Sequence, residues 1–170
     1  MDSYYLDRSG LSRERREHLN FDEPGAFDVD LLLQHLQQLR DGHAVGKPRY
    51  SFEDHVRTGV EQTLPAPIVL VEGLFALWWG GLRDALDLKI WVDAPANLRL
   101  QRRIKRDGEC RGRGIESVLH QYVTTVCPMH EFYVAPTRAY AELVVVNDGD
   151  VDACLQVVCS AIKAARPMRP

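Results

Sequence analysis

The chain has 170 residues, a length that suits one domain, and its 45% hydrophobic and 26% charged content is that of an ordinary soluble globular protein. A formal net charge of -3 argues against a polyanion-binding surface spread over the whole molecule. No apolar run reaches membrane-spanning length and the first residues do not read as a signal peptide; four cysteines (Cys110, Cys127, Cys154, Cys159) with neither CxxC nor Cys/His ligand spacing read as reduced cytosolic thiols.

Residues 11–19 (LSRERREHL) predict a short polar helix. Residues 28–41 predict a stronger one: Asp28 can cap it, Val29, Leu32, Leu33, Leu36 and Leu39 form an apolar stripe, and Gly42 stops it. Residues 47–63 are polar and aromatic without a helical period, which predicts a β-hairpin or loop insertion. The continuous apolar run at 68–74 (IVLVEGL) suits a buried parallel strand ending at Glu72. Leu88–Asp93 (LKIWVD) and Leu143–Asp148 (LVVVND) are two more such strands. Helices are expected over 95–106, with Pro95 in its first turn, and over 113–126 and 150–165, where Cys154 and Cys159 read as core residues. The tail after Ala165 is expected to fray. Strands alternating with helices predict an α/β domain with a parallel sheet, spanning residues 1–165.

The basic charge is concentrated. Between Arg99 and Arg113 (RLQRRIKRDGECRGR) stand seven of the chain's 21 Lys and Arg residues. Arg99, Arg102, Arg103 and Arg106 are spaced i, i+3, i+4, i+7 and so share one helix face, where like charges repel unless an anion answers them. A strand, a cationic helix and a Gly-containing loop with Arg111 and Arg113 suit a mobile clamp, over residues 102–114, on phosphoryl groups. Six arginines with only Asp107 and Glu109 among them make a merely solvated helix face the weaker reading, and so local a charge favours a small phosphorylated ligand over nucleic acid.

Ordered blocks along the chain carry a further message: DSYY (Asp2–Tyr5), NFDEPGAFD (Asn20–Asp28), PRYSFEDHVR (Pro48–Arg57), VEGL around Glu72, the arginine segment, and QYVTTVCPMHEFYVAPTRAYAE from Gln121. Together they resemble the uridine/cytidine kinases of the P-loop kinase superfamily, over nearly the whole chain. The resemblance implies transfer of the ATP (or GTP) γ-phosphate to the 5′-hydroxyl of uridine or cytidine, with Mg²⁺, in pyrimidine salvage in the cytoplasm, by a homotetramer. It implies that Asp2 is the catalytic base, that Asp22 holds the ribose hydroxyls, and that Phe21 and Tyr5 line the same site. By the same likeness Tyr50, Phe52 and His55 form the base-recognising hairpin, with an aromatic face on the pyrimidine and polar groups at its edge. Glu72 matches the carboxylate that helps hold Mg²⁺. Arg103 and Gln121 match residues near the nucleoside, and Arg106, Arg111 and Arg113 match the lid; Arg102 reads as a structural ion-pair partner.

Departures from the family pattern are Cys110 in place of a usual Glu before Arg-Gly-Arg, Glu142 where Asp often follows Tyr-Ala, and Gly25 in place of an acid or polar residue. The largest is the absence of a G-x-x-x-x-G-K-[ST] string, whose backbone N–H groups cradle phosphates in this superfamily. GHAVGKP (Gly42–Pro48) is one residue short between its glycines and places Pro after the lysine, so it is set aside. The expectation is a P-loop kinase-type sheet lacking its central strand and phosphate cradle: an N-terminally truncated kinase, inactive alone. Two alternatives remain, a non-catalytic relative that binds nucleoside without ATP and a kinase of the phosphoribulokinase or pantothenate kinase type. The aromatic hairpin argues against the latter, since a sugar phosphate offers no face to stack.

Overall fold

A helix cap organises the first part of the chain. The Asp28 carboxylate accepts the Leu31 N–H at 3.1 Å and starts a helix where the sequence predicts one. The computed structural model describes residues 1–165, apart from the side chains of Cys110 and Arg111, and divides into two compact units, Met1–Ala85 and the residues from Leu86 onward. The expected fraying of 166–170 lies outside the described residues.

In the first unit, Asp2–Tyr4 form a single 3₁₀ turn, and Tyr5 makes an isolated antiparallel bridge with Phe27. Helix α1 (Arg13–Glu17) is capped by Ser12, and α2 spans Val29–Arg40. Strands β1 (Val45–Ser51) and β2 (Val56–Thr63) pair antiparallel from Val45↔Thr63 to Ser51↔Val56, the hairpin expected of a polar, aromatic stretch. The register shifts between Arg49 and Tyr50, a bulge that re-aims the side chains beyond it. Lys47 and Glu61 face each other across the ladder and pair at 2.6 Å, so the Gly42–Pro48 string belongs to the helix exit and hairpin rather than to a phosphate loop. A short helix, α3 (Gly80–Asp84), closes the unit. The α2 stripe packs as expected: Leu32 is buried with Tyr4 and Leu82, and Leu31, Leu33, Leu36 and Trp79 lie against them.

The 68–74 run departs from expectation. No described residue pairs with it in a ladder, and Ile68, Val69 and Leu70 are exposed. An apolar run becomes a strand only when neighbours cover both faces and meet its N–H and C=O groups; with no such neighbour among the described residues, residues 68–72 are coil and Gly73 and Leu74 enter a bend and a turn. Val71 alone packs on the Tyr4–Leu32–Leu82 cluster.

In the second unit, β3 (Ile90–Asp93) and β4 (Leu143–Val146) pair parallel and in register, Ile90 opposite Leu143 and Asp93 opposite Val146. Glu142 fastens this pair by accepting the Lys89 N–H at 2.9 Å and its Nζ at 3.2 Å. Between the strands run α4 (Ala96–Arg111) and α5 (Ile115–Gln121), followed by a helical path through π turns at Tyr122–Val126 and His130–Val134, the short α6 (Cys127–Met129) and a 3₁₀ stretch, Ala135–Tyr140. Pro128 and Pro136 lack the N–H that an α-helix needs, which accounts for the broken hydrogen-bond pattern. Pro95 stands at the N-cap of α4 rather than inside its first turn.

Two further expectations change here. Helix α4 continues well past Arg106 instead of giving way to a loop, and stops only at Gly112, whose φ of 61° is the left-handed C-terminal conformation that glycine adopts without strain. Helix α7 (Val151–Ala165) forms where predicted, with the Asp150 carboxylate accepting the Ala153 N–H, but Cys154 is half-buried and Cys159 exposed, so neither is a core residue. Nothing among the described residues covers the apolar face that carries Val151 and Leu155.

Candidate functional site

Tyr5 stands at the centre of the first unit's site. The Asp2–Tyr5 segment lies beside 26–28, with Leu6 N–H donating to Ala26 O at 2.9 Å and Asp28 N–H to Tyr4 O at 2.8 Å. This pairing turns the Tyr5 ring toward Phe27 (4.2 Å between centroids), Phe21 (5.6 Å) and, from the hairpin, Tyr50 (5.1 Å) and Phe52 (6.3 Å). His55 stacks on Phe21 at 4.6 Å with the ring planes 16° apart. The five aromatic residues singled out in the sequence therefore meet in one cluster, although they come from three segments.

Phe21 has one face covered by His55, which makes it a wall; Phe52 is half exposed and offers free ring surface. The Tyr50 hydroxyl is buried with no hydrogen-bond partner among the described residues, and burial pushes its pKa up, so it stays a neutral donor. His55 adopts φ 55°, left-handed backbone that a β-substituted residue rarely takes, and this sets its ring over Phe21. Burial pushes its imidazole below the usual 6.5, helped by Arg16 and Arg13 and opposed by Glu17 and Asp54. Neutral His55 keeps one donor and one acceptor nitrogen.

Asp22 is half-buried next to Phe21, in a turn closed by its own N–H donating to Asn20 Oδ1 at 2.9 Å. Asp2 is exposed on its 3₁₀ turn. Glu72 lies against the same turn: the Met1 amino group donates to the Glu72 carbonyl at 2.6 Å and approaches its carboxylate at 3.4 Å. Gly73 makes this approach feasible, since a Cβ there would stand 2.9 Å from Met1 Cβ, and its φ of 154° suits glycine. The Glu72 carboxylate is 85% exposed. Among the described residues no three His, Cys, Asp or Glu gather as a metal set. The Glu72 carboxylate, largely exposed beside the Met1 amino group, fits Mg²⁺, which usually takes one or two carboxylates and completes its shell with water and substrate phosphate.

Arg57 has a role that no sequence motif marks. Its Nε donates to Tyr5 O at 3.0 Å and its terminal nitrogen to Asp28 Oδ2 at 3.0 Å, tying the hairpin to the Tyr5 segment and to the α2 cap. Tyr4 and His35 form a second unforeseen pair, hydroxyl to Nδ1 at 3.1 Å, in the core below. Position alone does not signal either role; both depend on what stands across the fold.

In the second unit the arginine segment folds around Asp107, which is fully buried. Arg103, Arg106 and Arg113 all approach its carboxylate, and Arg103 also donates to Gln121 Oε1 at 3.1 Å. Arg113 donates to Gln121 and to Ser117 Oγ at 3.1 Å. Four of the predicted residues thus share one cluster with an acid that stands out in the sequence only as a minority charge; the Arg111 side chain lies outside the described residues. Arg102 donates to Asn147, to its carbonyl at 3.3 Å and its side-chain oxygen at 3.1 Å, a structural role as expected but not the expected ion pair.

Residues 1–153 match the family model described as "Phosphoribulokinase / Uridine kinase family". Curated relatives include a uridine kinase of Staphylococcus haemolyticus, 42% identical over 163 residues, which are 95% of this chain and 79% of that protein. A uridine kinase of Macrococcus caseolyticus is 42% identical over 166 residues, covering 96% and 80%. A solved structure of a protein provisionally assigned as a fructose transport system kinase, from Silicibacter sp. TM1040, superposes with a TM-score of 0.65 at 20% identity, over 85% of this chain and 71% of its own, a likeness of fold alone. With a family match over most of its length and relatives this similar, the chain belongs to the phosphoribulokinase/uridine kinase family.

Proposed function

We propose that this protein is a pyrimidine ribonucleoside kinase whose first unit binds uridine or cytidine as the phosphoryl acceptor. The observation that carries the reading is the meeting of Tyr5, Phe21, Tyr50, Phe52 and His55 in one aromatic cluster beside Asp22, with the Tyr50 hydroxyl buried and lacking a partner. An aromatic cluster with an unsatisfied polar group at its edge suits a flat heterocycle that carries hydrogen-bonding atoms. The pyrimidine stacks on the open Phe52 surface, Tyr50 and neutral His55 meet its edge, and the Asp22 carboxylate accepts from the vicinal ribose hydroxyls.

Asp2 then faces the 5′-hydroxyl. Its carboxylate would accept the hydroxyl proton as the 5′ oxygen bonds the donor's γ-phosphorus and the bond from that phosphorus to the departing nucleoside diphosphate breaks, a task that asks for placement more than for a strong base. Glu72, beside the same 3₁₀ turn, would hold Mg²⁺, which when bound screens the charge of the donor's phosphates. In the second unit, Arg106 and Arg113 carry guanidinium groups of the kind that suits a phosphoryl group. For the phosphates of ATP the fit is poor: the sequence has no Gly-rich cradle string, and the nearest candidate is tied into the hairpin through Lys47 and Glu61. We therefore expect the 170-residue chain to turn over nucleoside slowly.

A ligand panel read by thermal shift tests the acceptor assignment. Uridine and cytidine are expected to stabilise the chain, 2′-deoxyuridine to do so less, and ribulose 5-phosphate and pantothenate not at all. Stabilisation by a sugar phosphate alone would move the protein to the phosphoribulokinase side of its family.

A further inference from the structure

An aspartate is seldom fully buried unless it is paired, and Asp107 is 0% exposed within the most basic stretch of the chain. Arg106 grips one of its oxygens with two nitrogens, Nε at 3.0 Å and a terminal nitrogen at 2.9 Å. Arg103 Nε lies 3.6 Å from the other oxygen and an Arg113 terminal nitrogen 3.9 Å from it. The Asp107 carbonyl meanwhile accepts the backbone N–H groups of Gly112 and Arg113, so the same residue ends α4 and turns Arg113 back onto the cluster. Gln121, from α5, closes the far side by accepting from Arg103 and Arg113.

One carboxylate among three guanidinium groups leaves the cluster with a surplus of positive charge, and it also holds together groups that would otherwise repel. The Arg106 side chain remains 53% exposed, so its held edge faces Asp107 while the rest is open to a ligand. We propose that Asp107 is the positioning residue of the arginine cluster, fixing Arg103, Arg106 and Arg113 for a phosphoryl group before any ligand arrives. Prior fixation matters because electrostatic stabilisation is strongest when its charges need not reorganise. This proposal rests on the reading above that Arg106 and Arg113 meet a phosphoryl group, and it adds Arg103 to them.

The test titrates the full chain calorimetrically with inorganic pyrophosphate and, separately, with uridine, in the wild type and in Asp107→Asn, Asp107→Glu and Arg106→Met. The wild type is expected to bind pyrophosphate. Asp107→Asn is expected to lower pyrophosphate affinity about tenfold, the scale of losing a charge-assisted contact, with uridine affinity unchanged, and Asp107→Glu to restore part of it. A merely structural role would weaken both ligands together. If the wild type takes up no pyrophosphate, the phosphoryl reading of the arginines fails, and the proposal with it. If Arg106→Met lowers pyrophosphate affinity and a folded Asp107→Asn does not, the proposal alone fails. Should Asp107→Asn not fold, the wild type decides: in the ligand-free chain the Nε–H signal of Arg106, assigned by Arg→Lys replacement, is expected to exchange slowly with solvent, and rapid exchange overturns the proposal.

Discussion

His55 combines three features that rarely coincide by accident: left-handed backbone, a stacked ring and a lowered pKa. Asn tolerates the same backbone but cannot stack, so His55→Asn isolates the ring. It is expected to weaken uridine binding about 3- to 10-fold, the scale of one aromatic contact, and to lower the unfolding midpoint modestly as the stack on Phe21 is lost. Burial also holds the His35 imidazole below 6.5, with Arg57 acting in the same direction and Asp28 against it. Both histidines are therefore neutral in the folded chain at neutral pH. As pH falls, the unfolded chain takes up their protons first, so their contribution to stability is complete above 6.5 and is lost as pH drops below it. Urea midpoints at about pH 7.5 and about pH 5.5 are expected to show the acidic sample less stable, and equal midpoints would contradict this. At this scale the aromatic residues were legible because their ordered blocks name them. Asp107 and Arg57 were not, because a charge in a sequence does not say which group will stand opposite it.

Among the elements, the hairpin and α2 followed from local chemistry: a cap at Asp28, an apolar stripe, and an aromatic stretch without helical period. What failed at this scale depended on partners. Ile68–Leu70 read as a strand on composition and is exposed coil for want of a ladder neighbour, while α4 outran its predicted end because Asp107 and its arginines continue the helix to Gly112. Arg57 makes the joints between elements testable. Arg57→Met removes the bonds to Tyr5 O and Asp28, and is expected to cost about 1–3 kcal/mol in urea unfolding and to loosen uridine binding as Tyr5 loses its anchor. Gly112→Ala places a Cβ on left-handed backbone and is expected to cost about 1 kcal/mol; no loss of stability would contradict the assignment of Gly112 as the stop of α4.

For the molecule as a whole, the two units divide the chemistry. Residues up to Ala85 carry the aromatic cluster with Asp2, Asp22 and Glu72, and those from Leu86 carry the parallel strand pair and the arginine cluster. The family was legible in the sequence because its blocks occur in order; the arrangement of the arginines on a buried acid was not, because it is a property of packing. The claim that binds the account together is that the first unit is a pyrimidine nucleoside site. Calorimetric titration of the purified 170-residue chain with uridine, in the wild type and in Asp22→Asn, tests it most directly. The account predicts saturable binding at one site, competed by cytidine, and weakened in Asp22→Asn about tenfold by loss of a carboxylate that accepts from the ribose. A folded wild-type chain that takes up no uridine, or an Asp22→Asn chain that binds it as well as the wild type, would contradict it.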